Sequence, residues 1–150
     1  MSLWMWWACR QVVVRGQSME PTHRDGARLW VSRFAYLFRP PRRGEIVAFR
    51  SPADPARVDL KRLIGLPLEE VSWYQDHFAI NDEPLDEPYA RIPAPTPGDE
   101  EIQRCRLGAQ DYFVAGDNRL YSQDSRQYGS VPRSAILGKV SKSVSLGSRS

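Results

Sequence analysis

A chain of 150 residues, 41% of them hydrophobic, suffices for one compact domain with a core and is too short for two of ordinary size. Twenty-one Lys and Arg against 18 Asp and Glu leave a net charge of +3, spread along the chain apart from Arg39, Arg42 and Arg43, which excludes the dense basic footprint of a nucleic-acid binder. The two cysteines, Cys9 and Cys105, stand in no CxxC or Cys/His spacing, which argues against a zinc or redox site and for two unconnected thiols.

Read from the N-terminus, the run Leu3-Trp4-Met5-Trp6-Trp7-Ala8-Cys9 is apolar but ends at Arg10 and Gln11. That is far short of the ~20 residues that span a bilayer, so no transmembrane helix is expected within the chain. The run has neither the basic start nor the cleavage site of a secretory leader. Residues 1–10 are expected either to rest Trp4, Trp6 and Trp7 in the headgroup region of a membrane or to pack beneath the first strand. The β-branched run at 11–15 and the alternation at 28–34 read as strands, with the turn-rich GQSMEPTHRDGA between them. After the Pro40-Pro41 break, 45–50 and 57–64 read as two more, separated by the polar loop SPADPA. Short strands follow at 70–73 and 77–80, and Ile80-Asn81-Asp82-Glu83 supplies the turn residues of a hairpin. Three prolines within 90–98 and the acidic Asp99-Glu100-Glu101 predict an exposed loop. Strands at 112–115 and 138–144, a short helix at 133–136 and a frayed tail at 145–150 complete the reading. With 12 prolines and 10 glycines punctuating these runs, the prediction is a mainly β fold of antiparallel sheets with short helical turns, its folded domain spanning 11–144.

Three segments combine turn residues with groups capable of acyl transfer. In Gly16-Gln17-Ser18-Met19-Glu20-Pro21-Thr22, a serine sits between a glycine that tolerates an unusual backbone and a proline that stops the strand. Ser18 is thereby presented at a bend with backbone N–H groups nearby. By itself such a serine is at home in any structural turn. In Leu60-Lys61-Arg62-Leu63-Ile64-Gly65-Leu66-Pro67, a lysine is embedded in an apolar strand. Solvent is the usual destination of such a side chain. For Lys61 to act as a base its pKa must fall from about 10.4 toward neutrality, which requires burial. Strand alternation puts Asp59 on the face of Lys61, where a carboxylate opposes that fall. The third segment, GDNRLYSQDSRQYG from Gly116 to Gly129, fits a polar surface loop, or a cation site through Asp117, Asn118 and Asp124, although its oxygens lack the EF-hand spacing.

Taken in order, Ser-Met-x-Pro-Thr from Ser18, Arg-Gly-Glu-Ile-Val-Ala-Phe from Arg43, Lys-Arg-Leu-Ile-Gly-Leu-Pro from Lys61 and Gly-Asp-Asn-Arg-x-x-Ser-x-Asp-Ser-Arg-x-x-Gly from Gly116 resemble the ordered boxes of type I signal peptidases. The resemblance runs from about Val12 to Val140. It implies a signal-peptidase and SOS-repressor-like β fold, and a serine endopeptidase that cleaves leader peptides from secreted proteins through an acyl-enzyme. Ser18 is then the nucleophile and Lys61 the general base, with no metal or organic cofactor. The same resemblance implies that Ser122 orients Lys61, that Arg62 pairs with Asp117 and Arg126 with Asp124, and that the oxyanion is held around Ser18 and Gly16. His23 and His77 become ordinary loop or strand residues. The implied substrates are preproteins with small residues at −1 and −3, met by a membrane-associated enzyme on the extracytoplasmic side, with no role for nucleic acid.

Three departures from the family pattern stand out. Gly16 offers no hydroxyl as a second oxyanion donor, the usual Leu-Pro-Gly-Asp is Leu66-Pro67-Leu68-Glu69, and the usual polar pair after Gly-Asp-Asn-Arg is Leu120-Tyr121. Competing expectations are a specialised maturation protease, such as that for nickel superoxide dismutase, and a noncatalytic module whose groove accepts an extended peptide as an added strand. A self-cleaving repressor is disfavoured, because about eleven residues precede the first expected strand.

Overall fold

The computed structural model describes residues 9–98 and 101–141. The tryptophan-rich run at 1–8 and the tail at 145–150 lie outside the described residues. Seven strands form one antiparallel sheet in the order β1-β2-β11-β3-β4-β9-β10, where β1 is Cys9–Val13, β2 Arg28–Ser32, β3 Ile46–Arg50, β4 Val58–Gly65, β9 Asp111–Ala115, β10 Val131–Pro132 and β11 Ile136–Val140. A smaller sheet, β7-β6-β5-β8, is built from β5 Glu70–Tyr74, β6 His77–Ile80, β7 Glu83–Pro84 and β8 Gln103–Arg106. One helical turn, α1 at Ser125–Tyr128, follows β9. The expected mainly β architecture is therefore present. The first strand starts at Cys9, inside the segment read as N-terminal to the domain.

The sequence explains which strands sit where. In β3 four successive residues, Ile46 to Phe49, are buried, because this central strand has an apolar layer on each face. Val47 and Phe49 meet Leu63, Val114, Val131 and Tyr36 on one side, while Ile46 and Ala48 meet Leu29, Val31, Met19 and Val140 on the other. A third cluster, Ile64, Val71, Phe78, Leu107 and Phe113, joins the small sheet to the end of β4 and β9, with the Trp73, Phe78 and Phe113 rings 5.2–6.1 Å apart.

Two tight hairpins shape the small sheet. The Asn81-Asp82 turn read from sequence has φ of +49° and +66°, and the Gln75-Asp76 turn, which carries no comparable signature, has +45° and +66°. Strand β8 also escaped the sequence reading because QRCR lacks apolar alternation; there Arg104 crosses to Glu70 and Asp82. The helix expected at 133–136 is a single 3₁₀ turn, Arg133–Ala135. Cys9 and Cys105 are free thiols on different sheets.

Close backbone approach fixes two glycines. A Cβ on Gly138 would lie 2.4 Å from the Ser32 carbonyl oxygen of β2, and one on Gly65 would lie 2.4 Å from Val71. The Gly138 clash is with backbone and cannot be relieved by a rotamer change. Gly138→Ala is expected to destabilise the domain by about 1–3 kcal/mol, read as a lowered urea midpoint with little change in slope. An unchanged midpoint would show that β11 and β2 separate without cost.

Candidate active site

Strand β4 presents Lys61 opposite Val47 of β3, on the face of the apolar cluster that includes Phe49 and Leu63. Its side chain is consequently buried, with 5% of its surface exposed. Burial lowers the Lys61 pKa; Asp59 and then Asp124 counter that effect in part, and Arg57 and Arg126 reinforce it. The lysine amine Nζ lies 2.7 Å from Ser18 Oγ, joining residues 43 positions apart.

Ser18 is held at that distance by its neighbours. Gly16 turns the chain at φ +83°, and its N–H donates to Asp25 Oδ1 at 2.8 Å, so Gly16 contributes a bend and its amide is already occupied. Met19, only 1% exposed, anchors the loop among Leu29, Ile46 and Ala48. From the far side of the sequence, the Asn118 backbone N–H donates to the Ser18 carbonyl at 2.9 Å and Asn118 Nδ2 to the Gln17 carbonyl at 3.2 Å. Gly116 completes the junction, since a Cβ there would sit 2.2 Å from Ser122 Oγ and 2.6 Å from the Ser18 carbonyl oxygen. The third segment is thus a brace pressed against the serine loop.

Two buried ion pairs hold that brace. Arg62 clasps Asp117 through Nε–Oδ1 at 2.8 Å and Nη2–Oδ2 at 2.6 Å, and Arg126 clasps Asp124 through Nε–Oδ1 and Nη2–Oδ2, both at 2.9 Å. The expected pairings are both present. Asp117 also accepts from Thr22 Oγ1, tying the serine loop to the same carboxylate. Burial works against the Asp124 charge, but Arg126 and the Gly116 and Ser122 donors hold its carboxyl below the usual range. Ser122 Oγ donates to Asp124 Oδ2 at 2.7 Å, which places the hydroxyl against the carboxylate facing Lys61. Asp124 additionally caps α1 in a capping box with Gln127, a signal readable in Asp-x-x-Gln that the sequence reading passed over.

Asp59 shares the face of Lys61 as alternation predicts, but it is occupied, since Arg57, the residue just before β4, binds it at 2.8 and 3.1 Å. Several contributors had no sequence signal. The Tyr89 ring lies 3.9 Å beneath the Arg62 guanidinium, Glu87 pairs with the buried Arg119 at 2.5 Å, and Asp76 in the left-handed hairpin turn reaches Arg126 at 2.5 Å. His23 is buried, and burial lowers its pKa although the Asp117 charge works the other way; His77 is exposed on β6. Neither is bonded to Ser18 or Lys61. Among the described residues no group of three or more His, Cys, Asp or Glu is arranged to hold a metal.

A groove of about 540 Å³ opens onto the pair, walled by Val12 to Met19 on one side and Arg57 to Lys61 on the other, with Tyr121 and Gln123 at one end. Each wall includes a strand edge, the end of β1 on one side and the start of β4 on the other. Among the described residues β1 terminates its sheet, and β4 bonds β9 only from Arg62 onward, so the side of Val58–Lys61 away from β3 has no strand partner there. At the departures from the family pattern, Leu68 adopts the left-handed φ of +68° that a glycine would take, and Glu69 binds Arg43 bidentately at 2.8 and 2.6 Å while accepting from the Leu66 amide.

Comparison with known proteins agrees with this architecture over most of the chain. Signal peptidase I of Bacillus caldolyticus is 38% identical over 138 residues, covering 85% of this chain and 75% of its own. Signal peptidase I V of Bacillus subtilis is 33% identical over 138 residues, covering 85% and 81%. Probable signal peptidase I-2 of Synechocystis is 37% identical over 132 residues and is the longer protein, since the match covers 84% of this chain but 58% of its length. The crystal structure of a signal peptidase I from Enterococcus faecalis superposes with a TM-score of 0.59 at 31% identity, over 69% of this chain and 98% of that one. Because the sequence model of the family described as signal peptidase, peptidase S26, also matches residues 2–144, nearly the whole chain is accounted for, and the protein belongs to that family of serine endopeptidases, which cleave signal peptides from preproteins.

Proposed function

We propose that Ser18 is the nucleophile of this peptidase and Lys61 its general base; the 2.7 Å approach of the hydroxyl to a buried amine carries the reading. With the amine neutral, the Ser18 hydroxyl donates its proton to the Lys61 lone pair as Oγ attacks the scissile carbonyl. The ammonium so formed returns that proton to the leaving amine, and an ester remains on Ser18. A water deprotonated by neutral Lys61 then adds to the ester and releases the leader peptide. The Ser18 backbone N–H is the first oxyanion donor. Ser122 acts through the Asp124 carboxylate it bonds, fixing the charge that faces the amine.

The two open strand edges favour an extended substrate that completes the sheet between them, its alternate side chains directed at the groove walls. The aliphatic lining from Val12, Val14, Met19 and Leu60 suits small residues at −1 and −3. The enzyme works at a membrane on the extracytoplasmic side; no helix among the described residues is long and apolar enough to cross one.

Ser18→Ala and Lys61→Met are each expected to slow cleavage of a leader peptide by at least about a thousandfold without unfolding the protein, and the double variant to be no slower than either. Cleavage by folded Ser18→Ala above a tenth of the wild-type rate would remove Ser18 as nucleophile.

The buried amine also leaves a mark on stability. Its folded pKa lies below the unfolded value of 10.5, so between the two the unfolded chain binds the extra proton and stability rises with pH. Lys61→Met is expected to raise Tm at pH 7 and to flatten the rise between pH 7 and pH 10, as differential scanning calorimetry would record. A Tm gain that stayed constant across that range would show that the amine is not desolvated.

Asp59 raises the Lys61 pKa and Arg57 lowers it. Asp59→Asn should therefore move the rising limb of the kcat/KM profile to lower pH, and Arg57→Gln, which leaves the carboxylate unbalanced, should move it to higher pH. Profiles that coincide with wild type for both variants would disconnect this pair from the catalytic base.

A further inference from the structure

The connection from β2 to β3 exposes a compact group of large apolar side chains that the catalytic apparatus does not use. Phe38 is 95% exposed, Leu37 62% and Phe34 48%, all within five residues. The segment from Arg33 to Arg43 carries four arginines and no acid. Two of them are engaged, Arg39 with Glu45 and Arg43 with Glu69. Arg33 and Arg42 are exposed, and among the described residues neither has an ion-pair partner. The base of the loop is rigid, because the buried Tyr36 donates to Glu45 at 2.5 Å and its carbonyl accepts from Arg133. An anchored stem therefore presents a flexed apolar tip with cationic shoulders.

We propose that this loop docks on an anionic lipid bilayer, with Phe38, Leu37 and Phe34 entering the headgroup and acyl boundary and Arg33 and Arg42 meeting lipid phosphates. Charge complementarity and position favour this occupant. Ser32, at the foot of the loop, is paired with Cys9, so the loop stands at the end of the sheet where the tryptophan-rich run joins β1 in the chain. Lys139 pairs with the same Ser32 and adds a further cation at that end. A second copy of the chain is a poorer occupant, since the three side chains offer roughly 400 Å² where a stable interface takes about 800 Å² per partner. The tip also protrudes where a peptide-binding surface would be concave. Ser18 follows the other end of β1, so the loop can be altered without touching the groove. This surface specifies the membrane side of the proposed function and is independent of the Ser18–Lys61 chemistry.

The full chain would be sedimented with phosphatidylcholine vesicles containing 30% phosphatidylglycerol, and with phosphatidylcholine alone, in parallel with cleavage of a soluble leader peptide. Leu37→Ser/Phe38→Ser is expected to lower partitioning onto the anionic vesicles by at least about tenfold while leaving soluble-peptide kcat/KM within twofold. Arg33→Gln/Arg42→Gln is expected to remove the preference for phosphatidylglycerol and most of the salt dependence. Both pairs would be repeated in a Trp4→Ser/Trp6→Ser/Trp7→Ser background, so that a contact by the tryptophans does not hide the loop's share. Wild-type partitioning by the Leu37→Ser/Phe38→Ser variant in that background would overturn the proposal. So would a concentration-dependent dimer in sedimentation velocity that this variant abolishes, because the loop would then serve a second copy. Loss of soluble-peptide cleavage on Ser18→Ala tests the chemistry separately and has no bearing on the vesicle result.

Discussion

Burial of the Lys61 amine governs the arrangement of the charged groups around it, and the base role proposed for that amine requires it to be neutral at the pH where the enzyme works. At 5% exposure the ammonium form is disfavoured by lost hydration, and the 2.7 Å contact with Ser18 Oγ gives the neutral form a partner. Burial of an amine attracts a second difficulty, since a nearby carboxylate would restore the charge. Both carboxylates that raise the Lys61 pKa are held by guanidinium groups, Asp59 by Arg57 and Asp124 by Arg126. Each ion pair offsets part of its own carboxylate's field at the amine. The arginines here act as local neutralisers more than as sources of stability.

That electrostatic arrangement dictates the architecture around it. Asp124 can face Lys61 only because Gly116 lets the Ser122 side chain and the Ser18 backbone approach one point, where any Cβ would collide with both. Arg126, reaching back to Asp124, is gripped from the other side by Asp76, which belongs to a hairpin turn of the small sheet. Arg119 extends the contact, donating to the Asp76 carbonyl and pairing with Glu87, while Tyr89 stacks on Arg62. The small sheet is thereby part of the scaffold that holds the surroundings of the Lys61 amine in place.

The departures from the family pattern fall where the structure tolerates them. Leu68 occupies a left-handed backbone position at some conformational cost, yet it is exposed and its neighbour Glu69 performs the bonding that the turn needs. Leu120 and Tyr121 are both exposed, and Tyr121 borders the groove beside Ser18 and Lys61, so that change alters the surface of the groove and leaves the ion pairs intact. Gly16, which lacks the hydroxyl found in some relatives, serves as a bend whose amide is already bonded to Asp25.

The chain's class and its chemical candidates are legible in the order of its residues, because local features carry them. Short β-branched runs between turn residues specify strands, and the ordered segments around Ser18, Lys61 and Gly116 specify a serine, an embedded lysine and a polar brace. Alternation along β4 even placed Asp59 beside Lys61 correctly. Strand ends, the Gln75-Asp76 turn and the polar edge strand β8 were not legible, since backbone pairing with distant segments decides them. Which charges are neutralised depends on how the chain folds back on itself. Arg57 for Asp59, Asp76 for Arg126, Glu87 for Arg119 and the Tyr89 ring beneath Arg62 are partnerships that no periodicity encodes, all but the first across long stretches of chain. Whether Lys61 is a solvated cation or a desolvated base follows from how two faces of a sheet are covered, and that burial is a property of the packed chain.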